Sequence, residues 1–136
     1  MIAYRRTPGF PNGELRPLVD VHLTDDLTVV HICLADTGAN GNRLSAALAG
    51  PYGVALPRDP TGPDLISGGV RSQTYEARVP FTIEVDDEPV TWVAPVTFCD
   101  PWPHPFGLLG QRGFFDAFDV LFQGRDKTFT LTRAKP

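Results

Sequence analysis

The chain has 136 residues and a mass of 14.9 kDa, so we expect one domain rather than two lobes. Its 12 lysines and arginines against 16 aspartates and glutamates give a formal charge of -4 with no basic run, which argues against a nucleic-acid partner. No apolar stretch approaches the roughly 18 residues that cross a membrane, and none follows the N-terminus as in a signal peptide, so we expect a cytoplasmic chain. Glycine and proline number 13 and 14, a composition typical of short strands joined by many turns.

The first half of the chain predicts an arm followed by paired strands. Residues 1–14 are rich in turn formers and are predicted to form an N-terminal arm, whereas residues 15–136 are predicted to form a single domain. Alternating apolar residues predict a strand over Val19–Leu23, and an Asp-Asp turn leads into a nearly continuous apolar strand over Leu27–Ala35. A single helical turn is predicted at Ala46–Ala49.

The second half predicts two further hairpins and one short helix. Clean alternation over Val79–Val85 and again over Val90–Phe98 indicates a long hairpin. The i, i+3/i+4 spacing of phenylalanines in Phe114–Phe118 predicts a short helix, and residues 120–131 predict a closing hairpin. The expected fold class is therefore mainly β with one short C-terminal helix.

Cysteines and histidines do not form a recognisable metal or redox motif. Cys33 and Cys99 lie in apolar segments without the paired spacing of a zinc site or a CxxC motif, so we expect two buried thiols. The three histidines are scattered along the chain. We therefore predict no metal site and no cofactor.

One local motif carries a functional hypothesis. Asp36-Thr37-Gly38-Ala39 places a carboxylate at the end of an apolar strand, followed by a hydroxyl and two small residues. Far downstream comes Leu108-Leu109-Gly110, and a glycine-rich stretch, Ser67-Gly68-Gly69-Val70, lies between them. The alternative interpretation of the tetrad is an ordinary Asx-type turn, which favours the same residue types. The alternative for the glycine-rich stretch is an ordinary hairpin turn.

Taken together, these segments resemble the retropepsin-like family of single-lobed, retroviral-type aspartic proteases, as a bacterial-type member. The resemblance covers about Leu15 to Leu131 and implies a closed β-barrel equivalent to one half-lobe of an acid protease. It implies a catalytic Asp36, with Thr37 bonding across a dimer axis, Gly38 admitting the substrate backbone and Ala39 completing the active-site loop. It also implies a substrate-binding flap at Ser67, Gly68, Gly69 and Val70, and structural support from Leu108, Leu109 and Gly110.

The chemistry requires a second copy of the chain. Water attacks an amide when one carboxyl removes its proton and another protonates the carbonyl oxygen, so two carboxyls in opposite protonation states are needed. The chain contains one Asp-Thr-Gly and no second Asp-Ser/Thr-Gly. The hypothesis is therefore a homodimeric aspartic endopeptidase that acts on extended peptides or proteins.

Two positions depart from the family pattern and leave an alternative open. The family commonly pairs an acid four residues after the catalytic Asp with an Arg just after the Leu-Leu-Gly glycine, but here these positions hold Asn40 and Gln111. An amide pair could replace that ion pair, or Arg112 could reach the same region. The alternative function is a non-catalytic binding or assembly module that retains the protease fold.

Overall fold

The computed structural model describes residues 1–135, which are mainly β as predicted. The described part of the chain forms twelve strands and one 3₁₀ helix, Ala46–Leu48. The strands are β1 Ile2–Ala3, β2 Arg5–Arg6, β3 Leu15–Arg16, β4 Leu18–Val21, β5 His31–Ala35, β6 Asn42–Ser45, β7 Leu65–Ser67, β8 Val70–Val85, β9 Glu88–Asp100, β10 Gly107–Leu109, β11 Phe118–Gln123 and β12 Thr128–Arg133. No helix within residues 1–135 has the length and apolar character needed to cross a membrane.

Seven of these strands form the main sheet, in the order β4-β5-β10-β6-β9-β8-β7. Two of its neighbouring pairs, β5–β10 and β6–β9, are parallel, because the chain crosses over before it returns to the sheet. The β5–β10 pair brings the end of β5 next to the segment that leaves β10. Segments separated by about 70 residues in the sequence thereby meet at one place.

The long hairpin predicted from alternation is confirmed, and it extends further than the pattern indicated. β8 and β9 pair from Gln73 to Asp100 around a two-residue turn at Asp86-Asp87, whose φ angles are 51° and 66°. Positive φ at both turn residues matches the right-handed twist of a hairpin, and aspartate tolerates it better than most residues. Inward-facing Phe81 and Ile83 are completely buried, as a period of two requires.

The ends of the chain form a smaller sheet in the order β1-β12-β11. The predicted closing hairpin is confirmed as β11–β12, and Ile2 of β1 pairs with Phe129 of β12. Residues 1–14 thus include two short strands, β1 and β2, of which β2 pairs with β3. The buried rings of Phe114, Phe118 and Phe129 fill the core, with Trp92 packed against the first two.

The predicted C-terminal helix over Phe114–Phe118 is wrong. The amides of Phe115 and Asp116 donate to carbonyls five residues back, that of Ala117 to a carbonyl three residues back and that of Phe118 to one four residues back, so the successive i→i−4 bonds of an α-helix are missing. Gly113, directly before this segment, has φ of 102°. The segment is a series of turns, and Phe118 already begins β11. The phenylalanine spacing reflects a tight turn that points Phe114 and Phe118 into the core, where their ring centroids lie 5.4 Å apart.

The prediction of a closed barrel is also wrong. Directly after β4, at one edge of the main sheet, His22 forms a single bridge to Thr82 of β8, made by two backbone hydrogen bonds of 2.8 and 2.9 Å. β4 is only four residues long, and a turn over Thr24–Asp26 then leads the chain away from β8. One bridge does not form a continuous ladder, so the sheet remains open.

The strand predicted over Leu27–Ala35 is shorter than expected. β5 begins at His31, because residues 26–30 form a turn in which Asp26 accepts hydrogen bonds from the amide and hydroxyl of Thr28. Val29 and Val30 therefore remain exposed rather than covered by the sheet. The predicted helical turn is confirmed as the 3₁₀ helix, which the Ser45 side chain caps by accepting the Ala47 amide.

Both cysteines are free and buried, as predicted. Burial raises the pKa of Cys33 to about 12 and that of Cys99 to about 11, because the thiolate loses its hydration. At neutral pH both thiols are therefore protonated, and they contribute to the structure as small apolar groups.

Candidate active site

Asp36 follows directly from β5, and the neighbouring strand β10 fixes the direction of the chain at this point. Leu34 and Ala35 are in register with Leu108 and Leu109 of β10. The amide of Asp36 then donates to the carbonyl of Leu109 at 2.9 Å, which extends the ladder by one bond. The predicted tetrad and the predicted supporting segment are thus brought together by direct backbone bonds.

The tetrad itself forms a tight turn around the Asp36 carboxylate. The amide of Gly38 donates to Asp36 Oδ1 at 2.9 Å, and the amide of Ala39 donates to the Asp36 carbonyl at 3.1 Å. A side chain at position 38 would bring its Cβ to 3.2 Å from Oδ1, so glycine suits the close approach. Asp36 is half-buried, while Thr37 and Gly38 are exposed. One carboxylate oxygen is therefore held by the turn at an exposed loop.

The contacts of Gln111 show how the loop after Asp36 is held although Asn40 and Gln111 stand where the family commonly has an acid and an arginine. Its side-chain amide donates to the carbonyl of Thr37 at 2.8 Å, and its backbone amide donates to the carbonyl of Ala39 at 2.9 Å. The backbone amide of Arg112 donates to the carbonyl of Asn40 at 2.9 Å. Within residues 1–135 there is no hydrogen bond between the side chains of Asn40 and Gln111. The loop is instead held through its backbone, by bonds that a neutral amide can make.

Gly110 allows the crossing segment to lie directly behind the tetrad. A Cβ at this position would lie 2.5 Å from the carbonyl oxygen of Gly41 and 2.7 Å from that of Ala39. Such distances are shorter than van der Waals contact, and both atoms belong to the backbone. The sequence Leu108-Leu109-Gly110 therefore combines two buried leucines with a position that requires the smallest residue.

Asn42 fixes the segment behind the tetrad, a role that could not be predicted from the sequence. Its side chain is 1% exposed, accepts the amide of Gly110 at 3.1 Å through Oδ1 and donates to the carbonyl of Pro95 at 3.2 Å through Nδ2. It thereby joins β6 and β9 to the crossing segment. The available signal was the alternation of Asn42 and Leu44 with Arg43 and Ser45, which indicates a strand with an inward-facing amide.

The glycine-rich segment Ser67–Val70 is a hairpin turn between β7 and β8. Gly68 and Gly69 have φ angles of 56° and 76°, which glycine adopts without strain. Among the described residues this turn has no hydrogen bond to the tetrad. Ser67 Oγ instead lies 2.8 Å from His104 Nε2, in the proline-rich loop that precedes β10. The hairpin is therefore linked to the tetrad through this loop and β10.

His104 sits in an aromatic cluster that the sequence did not predict. Its ring stacks on Phe106 with centroids 5.3 Å apart and meets Trp102 edge-on at 4.9 Å. Trp102 Nε1 donates to the carbonyl of Phe106 at 2.8 Å, which closes the loop on itself. Prolines and stacked rings together hold this loop beside the hairpin tip. Residues 1–135 offer no cluster of three His, Cys, Asp or Glu side chains that could hold a metal.

The chain is similar to proteins of known structure. The chain is similar to a structure described as EIAV protease complexed with the inhibitor HBY-793, with 25% sequence identity and a TM-score of 0.46. The match covers 74% of this chain and 86% of that chain. No protein-family model matches the chain. No curated protein matches it either.

Proposed function

We propose that the protein is an aspartic endopeptidase that hydrolyses peptide bonds as a homodimer, with one Asp36 contributed by each copy. The observation that carries the proposal is the Asp36 carboxylate, which the Gly38 amide orients at 2.9 Å in an exposed turn. Its backbone is fixed from behind by β10 and by Gln111. An oriented, half-buried carboxylate on a rigid turn is suited to move a proton to and from water.

A single Asp36 supplies only half of the required chemistry. When two such carboxylates approach to about 3 Å, their repulsion at an effective dielectric constant near 20 is about 5–6 kcal/mol. The pair therefore retains one proton over a wide range of acidic pH and titrates as a unit. The ionised partner removes a proton from water while the protonated partner donates to the carbonyl oxygen of the peptide, so the two copies exchange roles as acid and base.

The hairpin Ser67–Val70 supports the same function as a cover for the substrate. Its two glycines allow the tip to change shape, and Ile66 beside it is 65% exposed, which presents an apolar side chain outward. Backbone groups of an extended peptide can pair with such a hairpin while apolar side chains exclude water. The contact between Ser67 and His104 sets one position for the hairpin tip.

The direct test is the variant Asp36→Asn, assayed by mass spectrometry on a library of peptides. Cleavage by the wild-type chain is expected to disappear in this variant, because an amide neither accepts nor donates the proton that hydrolysis requires. The matched control is Asp119→Asn, at an exposed aspartate on β11, which is expected to cleave as the wild type does. Cleavage that persists in Asp36→Asn would refute the proposal.

Subunit mixing tests the requirement for two copies. If wild-type and Asp36→Asn chains are mixed in equal amounts and allowed to exchange, random pairing leaves half of the wild-type chains in mixed dimers. Activity per wild-type chain is then expected to fall to about half. Specific activity of the wild type alone is also expected to fall on dilution below the dimer dissociation constant. A strictly monomeric chain that retains full activity would contradict the dimer mechanism.

A further inference from the structure

A cavity of about 340 Å³ lies beside the tetrad and has a distinctive charge. We call it the arginine pocket, and the lining residues that matter here are Asn40, Gly41, Arg43, Glu76, Arg78 and Arg112. Its volume falls within the range of pockets that hold small ligands or single side chains. Three of the chain's 12 basic residues line this one cavity, although the chain as a whole carries a formal charge of -4.

The strand register explains why these charges are neighbours. Arg43 of β6 and Glu76 of β8 both pair with Thr97 of β9, so the three residues lie in one row across the sheet. Arg78 is two residues from Glu76 on the same strand and therefore shares its face. Arg112 enters from the crossing segment, where it bridges to Gly41. The three arginines and one glutamate leave the pocket with a net charge of +2.

The three arginines are available to a ligand. The salt bridges present within residues 1–135 are Arg5–Asp20 and Arg71–Asp64, so none of the pocket arginines is engaged in one. None of their side chains donates a hydrogen bond to another described residue. A guanidinium binds carboxylates through paired, charge-assisted hydrogen bonds, and two or three guanidiniums around one cavity favour an anion strongly.

The pocket also lies within reach of a peptide bound at Asp36. Its wall begins at Asn40, four residues after Asp36, and four residues span at most about 14 Å. An extended peptide advances by roughly the same length per residue. A side chain up to about four residues from the bond under attack can therefore enter the pocket.

We propose that the arginine pocket binds the carboxylate of an aspartate or glutamate side chain in an extended peptide. The proposal rests on the proposed function, and it adds an acidic residue to one side of the cleavage site as a determinant of specificity. Glu76 lowers the positive potential of the pocket and so weakens this binding. The substrate class is thus an extended chain with an acidic residue near the bond that is cut.

Binding can be measured separately from cleavage with the Asp36→Asn chain. The probes are fluorescein-labelled decapeptides with an apolar centre, in which one glutamate is placed at each position in turn and compared with glutamine. At one position the glutamate peptide is expected to bind about tenfold more tightly by fluorescence anisotropy, because a hydrogen bond to a charged group is worth about that factor. The difference is expected to shrink as the salt concentration rises.

Variants of the arginines assign this preference to the pocket. Replacing Arg43, Arg78 and Arg112 together by glutamine is expected to abolish the preference for the glutamate peptide. The single variant Arg78→Gln, at an exposed side chain, is expected to reduce this preference. Glu76→Gln is expected to increase it. The control is Arg125→Gln, at an exposed arginine between β11 and β12, which is expected to leave the preference unchanged.

The outcomes separate this proposal from the proposed function. Equal affinity for the glutamate and glutamine peptides at every position would overturn the pocket assignment even if the wild type cleaves peptides. A preference that survives in both the Arg78→Gln and the triple variant would also overturn it. If the preference depends on the arginines but the wild type cleaves no peptide, the pocket stands and the protease function fails.

Discussion

Substituting Gly110 by alanine tests whether close backbone packing holds the candidate site together. The added Cβ would lie 2.5 Å from the carbonyl oxygen of Gly41 and 2.7 Å from that of Ala39. Relief requires a shift of several tenths of an ångström in backbone that is fixed on both sides, because the Gln111 amide donates to the Ala39 carbonyl and the Gly110 amide donates to Asn42 Oδ1. Overpacking costs about 1–3 kcal/mol even when side chains can adjust, so we expect a loss of about 3 kcal/mol in the free energy of unfolding.

The assay is urea unfolding followed by the fluorescence of Trp92 and Trp102, at one protein concentration for all variants. The matched control is Gly124→Ala, because nothing lies within 4 Å of a Cβ at that position. This control is expected to be neutral or to stabilise the fold by up to about 1 kcal/mol, since alanine restricts the unfolded chain. A Gly110→Ala variant within about 0.5 kcal/mol of the wild type would refute the reasoning.

Two further predictions concern buried polar groups. Asn42→Leu is expected to lower the free energy of unfolding, measured by urea unfolding, by about 2–4 kcal/mol, because it leaves the amide of Gly110 and the carbonyl of Pro95 without their partner. A loss under about 1 kcal/mol would contradict this. Stability is also expected to fall as the pH rises through 9.0, because the unfolded Cys33 thiol then ionises while the folded thiol, with its pKa raised to about 12, does not. Between pH 8 and pH 10 the contribution of Cys33 to this loss is about 1.4 kcal/mol. Cys33→Ala keeps the contribution of Cys99, whose pKa burial also raises, and is therefore expected to lose about 1.4 kcal/mol less than the wild type over this range; identical pH dependence in the two chains would count against this.

Patterns with a period of two were sufficient to predict the long hairpin and the closing hairpin. Val79, Phe81 and Ile83 are buried and alternate with exposed or half-buried residues, and such alternation survives folding because one face of the hairpin meets the core. The same local reasoning failed at Phe114–Phe118. Spacing alone does not distinguish a helix from a tight turn that buries the same rings. The turn is entered through Gly113, which has a positive φ and where a Cβ would lie 2.5 Å from Asn42 Nδ2.

In the candidate site, too, the sequence was sufficient to predict some features and not others. The tetrad at Asp36 and the segment ending at Gly110 could be found from the sequence, because each motif is short and chemically distinctive. Their contact could not be calculated from spacing, since it depends on the parallel pairing of β5 with β10. The roles of Gln111, Asn42 and His104 depend on side chains that meet only after the strands have crossed.

The amino-acid sequence by itself determined that the chain is mainly β. It also determined in which segments apolar and polar residues alternate, and at which position a carboxylate follows an apolar strand. These are local properties, fixed by residue type and by a period of two. Only the tertiary structure decided that the sheet stays open, that Gln111 holds the turn at Asp36 while Asn42 holds the crossing segment, and that three arginines share one pocket. Such features depend on strand order and register, which bring together residues far apart in the chain.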